Sequence, residues 1–268
     1  MSVAIVIAVY NGASTLAQTL DSLAMQTQRP DQVIVMDGGS TDGTQALLAR
    51  RSDIVTHWHS APDRGIYDAW NKALAQVRSE WVAFLGADDY LASPQVLQQL
   101  SAAAAAAPVD TPYVYGRVHE VNARGEVLRD HGAPWAQCRE RFAYAMSLPH
   151  PGMWHRHALC FAQGGFDASL RIAGDYALLR PVLLRAAPLY VDLVVAAARE
   201  GGISTRPAWR VHSVREAGQV ICRAGQRRPL AWFLMLWKNQ LRQLLWRLLG
   251  DRGLQWLLRL KTAPRRAP

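Results

Sequence analysis

The chain has 268 residues, half of them hydrophobic, and a formal net charge of +9. That length supports one sizeable core with a small appended region. Three scattered cysteines without CxxC spacing exclude a disulfide framework or a zinc knuckle and fit a reducing cytosol. The charge is uneven: there are 15 Lys and Arg against 18 Asp and Glu up to Ala198, and 15 against 3 from Arg199 onward. Only the last quarter is basic, so the partner of that charge must be sought there.

Met1-Ser2 leads straight into an apolar run, with neither a charged leader nor a cleavage site, so no signal peptide is expected. Strands are predicted over Val3–Val9, Gln32–Met36, Ile54–Trp58 and Trp81–Leu85. Between them lie helical stretches, Ser14–Gln26, Thr44–Arg51 and Ile66–Val77. In the first of these, Leu16, Leu20 and Leu23 share a face. This alternation predicts a parallel sheet with helices on both faces. Pro94 opens a further helix that runs to Ala107. Tyr113–Val121 and Glu126–Arg129 flank a turn, Asn122-Ala123-Arg124-Gly125, and read as a hairpin. Gly132–His157 reads as a loop. A helix is expected near Asp175–Ala187 and a strand over Leu189–Ala197, followed by a disordered tail at Thr262–Pro268.

The strongest chemical signal is Trp81-Val82-Ala83-Phe84-Leu85-Gly86-Ala87-Asp88-Asp89. An apolar strand ends and two carboxylates follow, at the sheet edge where open α/β folds bind ligands. Paired carboxylates suit a hard divalent cation that shares its shell with substrate phosphates; a solvated turn also fits them. The turn after the first strand lacks GxGxxG, and no GxxxxGK[ST] occurs, so phosphates would be held another way. Asp37 ends the second strand, before Gly38-Gly39-Ser40-Thr41-Asp42-Gly43, and could accept from a base imide or ribose hydroxyls. Apart from Asp37, a plain strand-to-helix turn explains this segment. Arg64 precedes a helix in Asp63-Arg64-Gly65-Ile66-Tyr67-Asp68, where a phosphate or base is within reach.

Ala8-Val9-Tyr10-Asn11, the Asp37–Thr44 turn, Asp63–Lys72 and Phe84–Asp89 together resemble glycosyltransferase family 2. The match is strongest over residues 1–100, fair to about 205, and is similar to bacterial enzymes of exopolysaccharide and O-antigen assembly. The resemblance implies a GT-A fold: an α/β, Rossmann-like, mostly parallel central sheet flanked by helices. It assigns Ala8, Tyr10, Asp37, Arg64 and Asp88 to the donor, favours a UDP-sugar, and makes Asp89 with Asp88 the ligands of Mg²⁺ or Mn²⁺. Asp175 matches the catalytic base that opens a later helix, and a helix cap would use it equally well. Gly86 and Gly174 stand where the family often carries acidic residues. His150 and Trp154 fall beside the acceptor site or are ordinary loop residues. Gly201–Thr205 matches a segment that closes over the donor. The implied reaction is an inverting transfer to a hydroxyl of a lipid-linked or other saccharide acceptor, in surface polysaccharide synthesis. The alternative is a non-catalytic sugar-nucleotide-binding protein with degenerate acidic motifs.

Residues 1–205 are expected to form the transferase domain and 206–268 a basic amphipathic helical extension. In the extension Leu234, Trp237, Leu241, Leu244, Leu245 and Leu248 fall at helical spacing. No nucleic-acid motif accompanies the charge. An anionic membrane surface is the expected partner, with the protein cytoplasmic and peripheral at the inner face of the bacterial cytoplasmic membrane; packing against the protein's own core would use the same leucines.

Overall fold

The computed structural model describes residues 1–202 and 207–262. The chain divides into two compact units, Met1–Glu200 and Gly201–Pro268. The expected boundary at 205, most of the expected closing segment and the tail beyond Thr262 fall on residues outside the described ones.

The first unit is a mixed α/β structure. Its elements run β1 (Val3–Val9), α1 (Ala13–Ala24), β2 (Gln32–Asp37), α2 (Thr44–Ala49), β3 (His57–Ser60), α3 (Ile66–Leu74) and β4 (Trp81–Gly86). There follow β5 (Tyr90–Leu91), α4 (Val96–Ala106), β6 (Tyr113–Val121), β7 (Val127–His131), α5 (Trp135–Phe142), β8 (Trp154–Arg156), α6 (His157–Ala162), α7 (Gly174–Leu183) and β9 (Leu189–Arg199). The sheet order is β3-β2-β1-β4-β8-β6-β9-β5, with β7 alongside β6. β1 pairs in parallel with β2 and β4, and β2 with β3. β1, β2 and β4 are the buried strands that the apolar runs predict, because strands covered on both faces are apolar throughout; β3 is a partly exposed edge strand.

Three local expectations change. The third strand begins at His57, not Ile54. Ile54 and Val55 are buried, but their N–H groups donate to Arg51 O, so they fill the core from a turn. The stretch expected as a loop contains α5 and β8. β8 inserts antiparallel between β4 and β6, pairing Ala83 with Trp154 and Tyr113 with His155. A two-residue strand, β5, follows the acidic pair and joins β9.

In the second unit, α8 (Pro207–Arg223) and α9 (Leu230–Thr262) form a helical hairpin. Trp232 seats against Gly218, where a Cβ would come within 2.5 Å of the indole, and its Nε1 donates to Val214 O at 2.8 Å. Gly250 breaks α9 with φ 64°.

His150 and His155 are buried side by side, ring centroids 5.0 Å apart, among Trp70, Phe84 and Tyr113. His150 Nε2 and both ring nitrogens of His155 find no hydrogen-bond partner among the described residues. Burial disfavours the imidazolium. It lowers His150 to about 4 and His155 well below 6.5, the latter also through repulsion from His150. Between pH 6.5 and about 4 the unfolded chain therefore holds more protons than the folded one. The contribution of these two histidines to stability falls as pH drops through that window. Urea midpoints will be lower at pH 5 than at pH 7.5, and His150→Phe will narrow the gap; equal wild-type midpoints would contradict this.

Candidate active site

The parallel register brings strand ends together. Ala8 sits opposite both Met36 and Gly86, Val9 opposite Asp37, and Asp37 opposite Ser60. The carboxyl ends of β1, β2, β3 and β4 thus share one edge. The turns beyond them are stitched to one another. Asn11 N donates to Ser40 Oγ at 2.7 Å, Thr41 N to Asn11 Oδ1 at 3.0 Å, and Gly12 N to Thr44 Oγ1 at 3.0 Å. Asn11 holds φ 51°, a left-handed conformation that asparagine tolerates better than most residues.

Asp88 and Asp89 lie just past β4. Asp89 Oδ2 and Asp88 Oδ1 would stand 2.7 and 2.9 Å from a Cβ built on Gly86. The two carboxylates therefore lean over the same bare α-carbon. Asp89 is buried and accepts from Gly86 N at 3.2 Å and from the Arg199 backbone N–H. Burial first, and then the neighbouring Asp88 charge, push its carboxyl up to about 7. Two crowded carboxylates held this way fit a divalent cation, which would offset both causes. Among the described residues no group of three His, Cys, Asp or Glu side chains could hold a metal. Such an ion would share its shell with substrate oxygens and water.

Asp37 is 2 % exposed and already engaged. Ser40 N donates to its Oδ2 at 3.0 Å, Ser60 Oγ to the same oxygen at 2.5 Å, and Ser40 Oγ to Oδ1. A carboxylate offers about four lone-pair sites, so about one remains. The less noticed Asp63 is placed differently. Its Oδ1 accepts from Gly65 N at 2.8 Å, and its Oδ2 lies 2.8 Å from where a Gly38 Cβ would be. The ring of Tyr10, which is 69 % exposed, borders the same point through its Cδ2 at 3.4 Å. No donor among the described residues reaches Asp63 Oδ2. The sequence signal for Asp63 was its position just before Arg64-Gly65, overshadowed by the arginine.

Arg64 reaches outward, its side chain 81 % exposed, and pairs with Asp68 at 3.1 Å. Lys72 contacts the other Asp68 oxygen at 3.0 Å. Hydrogen bonds from Lys72 first, and then from the Arg64 backbone N–H, lower Asp68 to about 2. Asp175 lies in the first turn of α7. Ala173 holds the cap position, and Asp175 Oδ1 accepts from Tyr176 N at 2.7 Å. That turn is docked on the start of α3. Tyr67 donates its hydroxyl to Ile172 O at 2.5 Å, and a Cβ on Gly174 would meet the Tyr67 ring at 2.6 Å. Asp175 therefore stands beside the helix that follows Asp63-Arg64. Arg199 is a further residue that the sequence did not single out. Its charge helps to lower Asp89, while its guanidinium donates to Gln18.

The expected acceptor-site pair needs correction. Trp154 is 0 % exposed, on β8, packed against Trp81 at 6.1 Å between centroids. His150 is buried between Trp70 and Phe84. Neither lines an open surface: β8 carries Trp154 into the sheet, and the segment before it packs His150 into the aromatic cluster.

Known proteins resemble this arrangement. A mycobacterial PGL/p-HBAD biosynthesis glycosyltransferase, from Mycobacterium bovis, is 29 % identical over 215 residues, covering 75 % of this chain and 78 % of the relative. An uncharacterized glycosyltransferase of Mycobacterium tuberculosis is 26 % identical over 206 residues, 76 % of this chain and 77 % of its own. Among solved structures, S. aureus TarS residues 1–349 with UDP-GlcNAc superimposes with a TM-score of 0.63 at 20 % identity, over 91 % of this chain and 72 % of TarS. The mannosyltransferase PcManGT from Pyrobaculum calidifontis, in complex with GDP-Man and Mn²⁺, gives 0.63 at 19 % identity, over 99 % and 76 %. These folds are of the GT-A kind, as the mixed sheet and flanking helices require. Residues 4–158 match the family described as Glycosyl transferase family 2, and with more than half of its length matched the chain belongs to that family.

Proposed function

We propose that the protein transfers a sugar from a nucleotide-sugar donor to a hydroxyl of a lipid-linked saccharide, with inversion, in surface polysaccharide synthesis. The observation that carries this reading is the Asp88–Asp89 pair crowded over Gly86, one strand from Ala8 and two from Asp37. TarS and PcManGT, with UDP-GlcNAc and GDP-Man, make nucleotide sugars the natural donor class. Asp89 and Asp88 would hold Mg²⁺ or Mn²⁺ together with the donor phosphates. When bound, that ion supplies neutralisation of the charge gathering on the leaving diphosphate. Arg199 adds a fixed positive charge beside the pair, and Arg64 can swing from Asp68 towards the phosphates, since most of its side chain is solvated.

The base sits against Tyr10 and Ala8. Asp37 keeps about one acceptor site, and Asp63 brings a second carboxylate to the same place. A carboxylate here suits a base whose ring nitrogen carries a proton, as N3–H does in uracil; the same nitrogen in cytosine is an acceptor and would be repelled. Asp175 takes the proton of the acceptor hydroxyl as it attacks, a role that typically contributes about 10²–10⁴-fold. The two glycines that suggested degenerate motifs each have a steric reason. A side chain at Gly86 would strike the acidic pair, and one at Gly174 would strike Tyr67. Both glycines thus have a packing reason within the fold.

Transfer and donor-hydrolysis assays with Mn²⁺, run beside donor binding by calorimetry, test the assignments. Asp175→Asn will lose turnover by 10²-fold or more, on the order expected for a general base, while donor affinity stays near wild type. Asp89→Ala and chelation of the divalent ion will damage both. If Asp175→Asn retains full turnover, the proposed base is wrong. Gly86→Ala will weaken metal-dependent donor binding in a folded protein, because its Cβ displaces both carboxylates. Asp63→Asn will lower affinity for UDP at least about tenfold while leaving CDP unchanged, a loss of one charge-assisted hydrogen bond; equal losses for the two nucleotides would remove Asp63 from base selection.

A further inference from the structure

We infer that α9 carries a lipid-docking face, and that its occupant is an anionic bilayer surface. Leu230, Leu234, Trp237, Leu241, Leu244 and Leu248 are each between 41 and 73 % exposed. Placed at about 100° per residue, they fall within a sector of about 80°. Their span is about 27 Å along the helix axis. The opposite side of α9 is the seam towards α8, where Trp232 is buried in the notch at Gly218. The outer leucine stripe is therefore not the packing face of the hairpin. It is a second apolar face on the same helix, and it has no partner among the described residues of this unit.

Charge chooses the occupant. Lys238 and Arg242 flank the stripe on one side and Arg247 on the other, and Leu230–Leu249 contains no acidic residue. The leucine spacing of alternating three and four residues would also suit a second copy of α9. Two such copies would set like charges along both edges of the seam, which opposes pairing. An anionic surface accepts the same pattern without repulsion: apolar side chains enter the acyl boundary and the basic side chains stay at the headgroups. No described helix is long and apolar enough to cross a membrane, so the face lies on the bilayer and does not span it. Trp237, at the centre of the stripe and 64 % exposed, has the amphipathic ring that favours the headgroup level. The inference gives the lipid-linked acceptor proposed above a physical route to the site, and in that respect rests on that reading. The membrane face itself is tested without any donor or acceptor.

The test is flotation of the full chain with phosphatidylcholine vesicles and with mixed phosphatidylcholine–phosphatidylglycerol vesicles, at low and high salt. The expected result is capture by the mixed vesicles only, weakened by salt. Trp237→Gln with Leu244→Gln will abolish capture. Lys238→Gln with Arg242→Gln will weaken it by about fivefold per residue removed. Both variants change exposed positions, so their thermal unfolding and donor binding will match wild type, which separates failure of this face from failure of the transferase reading. Equal binding to neutral vesicles, no binding to either, or an equilibrium dimer that becomes monomeric in Trp237→Gln/Leu244→Gln would each overturn the inference; the last would make a second copy the occupant.

Discussion

The parallel register of β1, β2 and β4 decides where the acidic groups can act. These strands are buried on both faces, so no ionised side chain can project from their middles without a large desolvation cost. The carboxylates are expelled to the strand ends, and the register makes those ends coincide: Asp37 beside Val9, and Gly86 beside Ala8. Outside the ends, backbone N–H groups and turn side chains are available to hold carboxylates. The shared acidic edge is a consequence of that geometry, and loop-to-loop hydrogen bonds such as Asn11 to Ser40 tie its turns together.

Within this edge, one residue type meets three environments and acquires three characters. Asp68 is neutralised by Lys72 and Arg64 and pushed low, which suits a clamp at the start of α3. Asp37 spends three of its roughly four lone-pair sites on Ser40 and Ser60, and so ties β2 to the ends of its own turn and of β3. Asp89 is buried and crowded by Asp88, and is pushed up even though two backbone N–H groups donate to it. Only the last has an unmet electrostatic demand.

Missing side chains matter as much as present ones. Gly86, Gly38 and Gly174 each face a carboxylate or a ring within 3 Å of where a Cβ would stand. In each case the bare backbone lets a functional or positioning group approach: the acidic pair at Gly86, Asp63 at Gly38, Tyr67 at Gly174. Departures from a family pattern at two of these positions are thus paired with contacts elsewhere in the fold. A motif scored residue by residue reads them as losses.

By itself the amino-acid sequence determined the parallel half of the sheet, the acidic strand ends and the confinement of basic charge to the last quarter. All three follow from local composition: short apolar runs alternating with amphipathic stretches favour doubly covered strands, and charge can be counted. Tertiary structure alone decided the rest. Ile54 and Val55 look like strand residues, but only the packing turns them into a buried turn. Trp154 and His155 sit among prolines and histidines and read as loop; the fold buries them as a three-residue strand, and burial keeps the imidazole neutral. The partial engagement of Asp37 depends on Ser60, 23 residues away, and the fitting of Gly174 on Tyr67, 107 residues away in chain position but in direct contact. Such pairings carry no local periodicity, because they are set by which surfaces meet once the sheet has closed.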